Sequence, residues 1–482
     1  MLSERVEPFF EELSPLDAFF MYSERRETPL HVGAVYIFEG RPQGPERPWV
    51  VDAVRSVEDR LDLVPRYRQR VQFRLLNLRQ PVWVDDADFD LNRHVRHATL
   101  STPGGDAALL ELTAEIFARP LDTSRPLWEL TFIEGLSEGR VAVVSKAHPA
   151  MVDGVSTVDP GTLLLDPEPQ PPPLPPRLAW QPRPGPDERA LAARDLDSVR
   201  RAITSDPILL PFRAPRLIRE AVDGLVGTPW AGAASLALSF IRPGHHLSFN
   251  RAVGSDRSLQ HVAVQLADLK AVKEVMACAV NDVVLAIVAE ALRRWLAERG
   301  EEAPGRLRVL CPLSVRDDRA RGPEASRVTG VVLELPLEPM PLVTRLARIM
   351  REVGDLRRSH QALAAEELMG AARWGPAALH AQAVRLAGEP QLSLQSAVAA
   401  VVTNVPGPQA PFYLRGARLL EAWPLSPIYH MLGLNLTALS YDGVVHLGLL
   451  ADPELVPDLD HLARHLHRAA VDYRSLAQRL NR

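Results

Sequence analysis

The stretch VAVVSKAHPAMVDGVST, residues 141 to 157, holds the side chains best suited to chemistry in this chain. An apolar run from Val141 to Val144 leads through Lys146 to His148, and the pair Asp153-Gly154 follows. Imidazole titrates near neutrality, so a histidine placed here can take a proton from a hydroxyl that attacks an acyl carbon. Proline stands immediately after it, at position 149, and offers no acid or base. An acyl-transfer site is the chemistry the stretch invites, and Pro149 is the residue that has to be explained.

Such a site needs elements to hold it. At 482 residues the chain exceeds one ordinary hydrophobic core, so two domains are expected. The clearest break is DPEPQPPPLPPRLAWQPRPGP, residues 166 to 186. Its prolines remove backbone donors and favour extended chain, which marks an interdomain crossover. We therefore divide the chain into residues 1–165, a linker at 166–190, and residues 191–482. Before the linker, PWVVDAVRSVEDRLDLV has helical spacing, while HVGAVYIFEG and LWELTFIEGL have strand content. After it, SLQHVAVQLADLKAVKEVM turns from strand alternation to helix at LADL, and NDVVLAIVAEALRRWLAER reads as a long helix capped by Asn281 or Asp282. GRLRVLCPLSV, VTGVVLELPL, SAVAAVVTNVPG and GVVHLGLLAD are further strands. Mixed elements in both halves predict an α/β architecture.

Composition narrows the function. Hydrophobic residues make up 46% and charged residues 24%, which is the balance of a globular chain, and a net charge of -5 argues against a nucleic-acid partner. Cys278 and Cys311 are the only cysteines and lack metal-ligand spacing, so neither a disulfide framework nor a zinc site is expected, and a reducing cytoplasm fits. His94 and His97 stand three apart with no third ligand, so no metal is expected there either. The N-terminus mixes acidic with apolar residues and does not read as a secretory signal, and no uncharged apolar run approaches the roughly 18 residues of a membrane span. Membrane contact, if present, is expected to be peripheral, with WAGAASLALSFIRP (230–243) as its local candidate against the plainer reading of a buried helix.

Several segments together carry a family resemblance. LSPLDAFF and TPLHVGAVYIFEG lie near the start, SRPLWELTFIEGL precedes the central motif, and HPAMVDGVS is that motif. FNRAVGSDR, VNDVVLAIVAEALR, PLSVRDD, TNVPGPQAPFYLRGARL and LGLNLTALSYDGVVHLGLLADP follow beyond the linker. In order and spacing the chain resembles the bacterial wax ester synthase/diacylglycerol acyltransferase family, part of the wider superfamily marked by HHxxxDG that includes peptide-synthetase condensation domains. The resemblance implies two chloramphenicol-acetyltransferase-like domains with a substrate tunnel between them. It implies acyl-CoA as co-substrate, a lipid alcohol as acceptor and no other cofactor. In the family the second His of the motif is the general base, the Asp turns inward to pair with an Arg of the other domain, and the Gly leaves room for substrate. Those roles fall on Asp153, Gly154 and, in PLSVR, Arg316. Asn281 is offered as a polar residue that shapes the site or caps its helix.

The departures from the family pattern cluster at the same place. Aligning Asp153 and Gly154 puts the first His on His148 and the base on Pro149. Loss of a general base costs about two to four orders of magnitude in rate, so turnover is expected to be reduced. Neighbouring residues on extended chain face opposite ways, which makes His148 a buried, hydrogen-bonded support; the proline's bias on the backbone leaves a second reading, an imidazole turned inward as substitute base. Pro160 and Gly161 interrupt the helix expected after Gly154, and PEASRVTG (323–330) lacks the Gly-Asn pair of relatives at about Ala325 and Ser326. The basic run PRYRQRVQFR (65–74) reads as a solvated strand face rather than a phosphate site, and TNVPGP (403–408) as a structural turn.

These observations lead first to an O-acyltransferase that moves a long-chain acyl group from acyl-CoA to diacylglycerol or a fatty alcohol, without a covalent acyl-enzyme or a metal. A catalytically impaired homologue that binds acyl-CoA or neutral lipid is the second reading, and a condensation-type enzyme acting on carrier-bound substrates the third. A cytoplasmic location, peripheral to the inner membrane face or lipid bodies, suits all of the lipid readings.

Overall fold

The computed structural model describes residues 8–40, 49–75, 79–151, 161–172, 180–205, 247–316, 326–358 and 398–481. In the first half these form β1 (Glu11–Glu12), α1 (Pro15–Ser23), β2 (Val32–Phe38), α2 (Trp49–Arg60), β3 (Gln69–Gln72), β4 (Val82–Asp85), β5 (Val95–Gly104), α3 (Asp106–Ala118), β6 (Trp128–Leu136), β7 (Val141–Ala147) and α4 (Glu188–Ser205). The second half supplies β8 (Ser258–Gln265), α5 (Leu266–Met276), α6 (Val280–Glu298), β9 (Arg306–Arg316), β10 (Ser326–Pro336), α7 (Leu342–Arg358) and β11 (Ala400–Val405). It continues with β12 (Tyr413–Leu414), β13 (Ala417–Leu425), β14 (Leu434–Tyr441), β15 (Val444–Ala451) and α8 (Leu459–Leu480).

Two six-stranded sheets organise two α/β lobes, with strand orders β12-β13-β2-β7-β6-β5 and β10-β9-β11-β14-β15-β8, and a small sheet β1-β4-β3 flanks the first. Pairing is mainly antiparallel, with parallel neighbours at β5/β6, β9/β11 and β11/β14. β2 and β7 lie at the centre of the first sheet, and alternation along β2 serves both of its faces. Ala34, Tyr36 and Phe38 pack with Leu130 and Phe132 on one side; Val35 and Ile37 pack with Ile133, Val144 and Trp423 on the other. The strands expected in both halves are found, as are the helix over 49–60 and the switch from strand to helix at Leu266.

α6 is buried on all sides from Asp282 to Leu292, enclosed by α7, α8 and the second sheet. Its start corrects an expectation. Ala279 occupies the cap position, and Asp282 reaches back from the first turn to accept the Ala279 N–H at 2.9 Å.

β13 was not legible as a strand, yet it joins the lobes. It comes from the second half and pairs antiparallel with β2, Ala422 opposite Tyr36 and Leu425 opposite Gly33. It also passes close to β15, where a Cβ on Gly448 would stand 1.9 Å from the Pro424 carbonyl oxygen. Only a residue without a side chain allows that approach.

The ends of the proline-rich stretch bind to the first lobe. Asp166 and Tyr413 exchange two backbone hydrogen bonds, at 2.7 and 2.9 Å. Arg183 grips the Asp85 carboxylate with its Nε and NH2 groups at 2.9 and 2.8 Å. Asp195 of α4 forms a buried ion pair with Arg74, so the chain beyond the prolines still rests on the first lobe.

Replacing Gly448 by Val forces the β13/β15 crossing apart. We expect a loss of about 2 kcal/mol or more in chemical denaturation, from overpacking against backbone. Wild-type stability in that variant would refute the close crossing.

Candidate functional site

β7 delivers the motif, and all seven of its residues are buried. Gly33 opposite permits this: a Cβ there would lie 2.0 Å from the Ser145 carbonyl oxygen. Near the end of the strand, Lys146 is sealed from solvent and spends its ammonium on Glu129 at 3.0 Å and on the carbonyls of Ile116 and Arg119 at 3.1 and 3.0 Å. The lysine thereby ties the C-terminal end of α3 to the sheet. Burial lowers its pKa, and the Glu129 carboxylate opposes that shift.

The chain then turns. His148 N–H donates to the Leu127 carbonyl at 2.9 Å, so the residue before Trp128 fixes the exit from the strand. Pro149 opens a short 3₁₀ turn, Pro149–Met151, closed by Met151 N–H on the His148 carbonyl at 2.9 Å. The first position of a helical turn needs no N–H donor and suits the fixed φ of proline. Pro149 is thus compatible with the backbone while removing any side-chain base from it.

His148 has no exposed side-chain surface. Its Nδ1 accepts the Ala150 N–H at 3.0 Å, which places the ring hydrogen on Nε2. That Nε2 is buried without a hydrogen-bond partner among the described residues, and its nearest opposite charge is Glu24 Oε2 at 3.9 Å. Burial alone pushes the His148 pKa down to about 3.

Glu24 ends α1, which packs on the turn at 149–151. Ser14 starts that helix: its Oγ accepts the Asp17 N–H at 3.1 Å while the Asp17 carboxylate accepts the Ser14 N–H at 3.3 Å. Glu24 Oε1 accepts the Leu30 N–H at 3.1 Å. Burial raises its pKa to about 6, against the opposing pull of that hydrogen bond and of Lys146. His31 lies just before β2 with Nδ1 3.0 Å from the Phe117 carbonyl, and burial and then Lys146 hold it well below its usual pKa. From the second half, Arg257 donates to the Glu27 carbonyl at 2.9 Å. The site therefore lies where the two halves meet.

Of the residues singled out in the sequence, the structure places His148, Pro149 and Asn281. Asp153 and Gly154 lie outside the described residues. Arg316 ends β9 with its backbone opposite Ser326, and its side chain, like the expected bridge to Asp153, is outside the described part. Asn281 does not cap its helix; its Oδ1 accepts from Asn404 Nδ2 at 3.0 Å, joining α6 to the TNVPGP segment. In that segment a Cβ on Gly407 would stand 2.2 Å from the Ser440 carbonyl oxygen, which accounts for the glycine. Of the interrupted helix after Gly154, the described part is a 3₁₀ turn, Thr162–Leu164. The segment 230–243 and the Ala325 position lie outside the described residues.

The basic run departs from its expected solvated face. Arg68 is buried on Asp62, and Arg74 is buried between Asp195 and Glu12. His94 stacks between Phe89 and Trp128, whereas His97 pairs with Glu134 at 3.0 Å, so the two histidines serve separate contacts. Among the described residues one group, His261, Glu421 and His446, brings possible metal-ligand atoms within 4.8 Å of one another. Its members already have partners: the imidazoles lie 3.0 Å apart, and Glu421 accepts from Trp423 at 2.8 Å with Arg140 at 3.7 Å. Sequence reading missed Glu24, His31 and Arg257, although each lies within or beside a segment that carries the resemblance.

The sequence model of the wax ester synthase/diacylglycerol acyltransferase catalytic domain matches residues 13–284, and that of the family's C-terminal domain matches residues 326–471. The chain belongs to the wax ester synthase/diacylglycerol acyltransferase family. A probable diacylglycerol O-acyltransferase of Mycobacterium tuberculosis is 30% identical over 97% of this chain and 96% of its own length. A putative diacylglycerol O-acyltransferase of the same organism is 33% identical over 94% and 97%. Among solved structures, the wax ester synthase/diacylglycerol acyltransferase from Marinobacter aquaeolei VT8 superposes with a TM-score of 0.68 at 25% identity, covering 97% of this chain and 100% of that one. The first condensation domain of the calcium-dependent antibiotic synthetase shares the fold, with a TM-score of 0.57 at 14% identity over 97% and 96% of the two chains. As a wax ester synthase/diacylglycerol acyltransferase family member, the chain keeps the expected two-domain α/β fold with a proline in its central motif.

The buried histidine sets a pH dependence. His148 takes up its proton near 6.5 when unfolded but only near 3 when folded, so its contribution is fully present above pH 6.5 and is lost as pH falls toward 3. His261 and His446, pushed down to about 3 and about 4, act in the same direction; Glu24, raised to about 6, partly opposes them between 4.5 and 6. We expect His148→Gln to flatten the acid limb of a stability-against-pH curve by up to about 1.4 kcal/mol per pH unit below 6.5. An unchanged slope would show that His148 titrates normally in the folded protein.

Proposed function

We propose that this protein is an O-acyltransferase that transfers a long-chain acyl group from acyl-CoA to diacylglycerol or a fatty alcohol, at a rate limited by Pro149. The observation that carries this reading is the match of both family domains along the chain, together with retention of the strand, turn and first histidine that build the central motif. In the reaction the acceptor hydroxyl attacks the thioester carbon directly. Its proton must be removed as the C–O bond forms, and the leaving thiolate must regain one.

His148 is the positioning residue in this reading. Its Nδ1 holds the Ala150 N–H and its carbonyl closes the turn, so the imidazole shapes the backbone at 149–151. Asp153 and Arg316 are proposed to brace the loop from opposite domains, Gly154 to leave room beside it, and Asn281, held by Asn404, to support the passage between the lobes. Acyl-CoA is a co-substrate, and contact with the inner membrane face or lipid bodies is peripheral.

A second reading, an acyl-CoA or neutral-lipid binding protein without turnover, is favoured by one observation: position 149 carries no base.

The test is CoA-thiol release from palmitoyl-CoA with hexadecanol or a diacylglycerol, alongside acyl-CoA binding, for the protein and for Pro149→His. We expect binding by both forms, slow release by the protein, and release at least about tenfold faster with the imidazole restored. Binding without turnover in the protein, with turnover only in Pro149→His, would select the binding-protein reading. Absence of binding and turnover in both would overturn the acyltransferase reading.

A further inference from the structure

With Pro149 at the base position, the remaining polar groups around the turn decide whether the acceptor can be deprotonated. His148 is the nearest in sequence, but its side chain is wholly enclosed and its Nδ1 is committed to Ala150. His31 is sealed as well, with Nδ1 held by the Phe117 carbonyl. Lys146 is buried among Glu129 and two carbonyls and offers only donors. Glu24 differs from all three. Its side chain keeps 16% of its surface exposed, it stands at the end of the helix that packs on the turn, and it lies where Arg257 brings the second half against Glu27.

From this geometry we infer that the Glu24 carboxylate is the proton acceptor for the attacking hydroxyl, in place of the imidazole that Pro149 removes. The inference rests on the acyltransferase reading above. Oε1 is fixed by the Leu30 N–H, which leaves Oε2 facing the turn, 3.9 Å from His148 Nε2. At that distance His148 Nε2 and the oxygen form no hydrogen bond, so the ring does not neutralise the carboxylate. Burial of Glu24 raises its basicity, with a pKa of about 6, whereas His148 at about 3 stays unprotonated and cannot exchange protons near neutrality.

The step balances without a further reactant. The acceptor oxygen bonds to the thioester carbon as its proton passes to Glu24 Oε2. Collapse of the tetrahedral adduct breaks the C–S bond, and the CoA thiolate takes the proton back from the Glu24 carboxylic acid. Ester and free thiol leave, and Glu24 is again ionised. A carboxylate is a weaker base than imidazole, which is why restoring His at 149 is still expected to accelerate the reaction.

The test is a double-mutant comparison of palmitoyl-CoA and hexadecanol turnover in the protein, Glu24→Gln, Pro149→His and Glu24→Gln/Pro149→His, with melting temperature and acyl-CoA binding as controls. Gln keeps the carbonyl oxygen for the Leu30 N–H, so the fold is expected to hold. We expect Glu24→Gln to reduce kcat at least about a hundredfold with binding unchanged, and to change kcat less than about threefold when His occupies 149. An equal loss in both backgrounds would make Glu24 a structural support and overturn the inference. So would full activity in Glu24→Gln, or a protein that turns over only as Pro149→His. Failure of all four forms to bind or turn over would instead reject the acyltransferase reading itself.

Discussion

Desolvation at the end of β7 governs the chemistry open to this protein. Lys146, His148, His31 and Glu24 all have their ionisation shifted first by burial. Their neighbours then divide them into groups that can exchange protons near neutrality and groups that cannot. Lys146 keeps a carboxylate partner at 3.0 Å, whereas among the described residues His148 has none closer than 3.9 Å. Burial therefore keeps the His148 imidazole neutral.

That desolvation depends on the fold from some distance away. β7 is buried because β2 and β6 flank it, and because Gly33 lets β2 approach the Ser145 carbonyl. β13 brings Trp423 from the second half onto the apolar face of the same sheet, and Gly448 lets it pass β15. Arg257 adds a polar tie at the Glu27 carbonyl. Residues from both halves thus pack around the sheet that carries the motif.

Much of this was legible in the sequence where the signal is local. Strand alternation in HVGAVYIFEG and LWELTFIEGL, the switch at LADL and the long apolar helix behind Asn281 follow from side-chain period, and the structure contains each. The α/β class and the two-lobed plan followed from those segments and the family resemblance. β13 escaped because its alternation is broken by Leu419-Leu420 and Pro424, and because its partner β2 lies in the other half of the chain. A basic run reads as solvent-facing because charge normally stays there; Arg74 is buried with Glu12 and with Asp195, which lies 121 residues away. Glu24 was overlooked for the same reason. Packing of α1 on the turn at 149–151 brings it to within 3.9 Å of His148, which no local pattern encodes.

The motif also shows how a substitution can preserve a site's shape while changing its chemistry. Pro149 fits the first position of its turn, so the hydrogen bonds from His148 N–H to Leu127 and from Ala150 N–H to His148 form without a base at 149. The account stands or falls on the state of the His148 ring. The most direct measurement is nitrogen NMR of the histidine side chains across a pH titration, with His148 assigned by its Gln variant. The account predicts a neutral ring with its hydrogen on Nε2 that remains unprotonated down to about pH 4. A ring that titrates near 6.5, or one with its hydrogen on Nδ1, would contradict it.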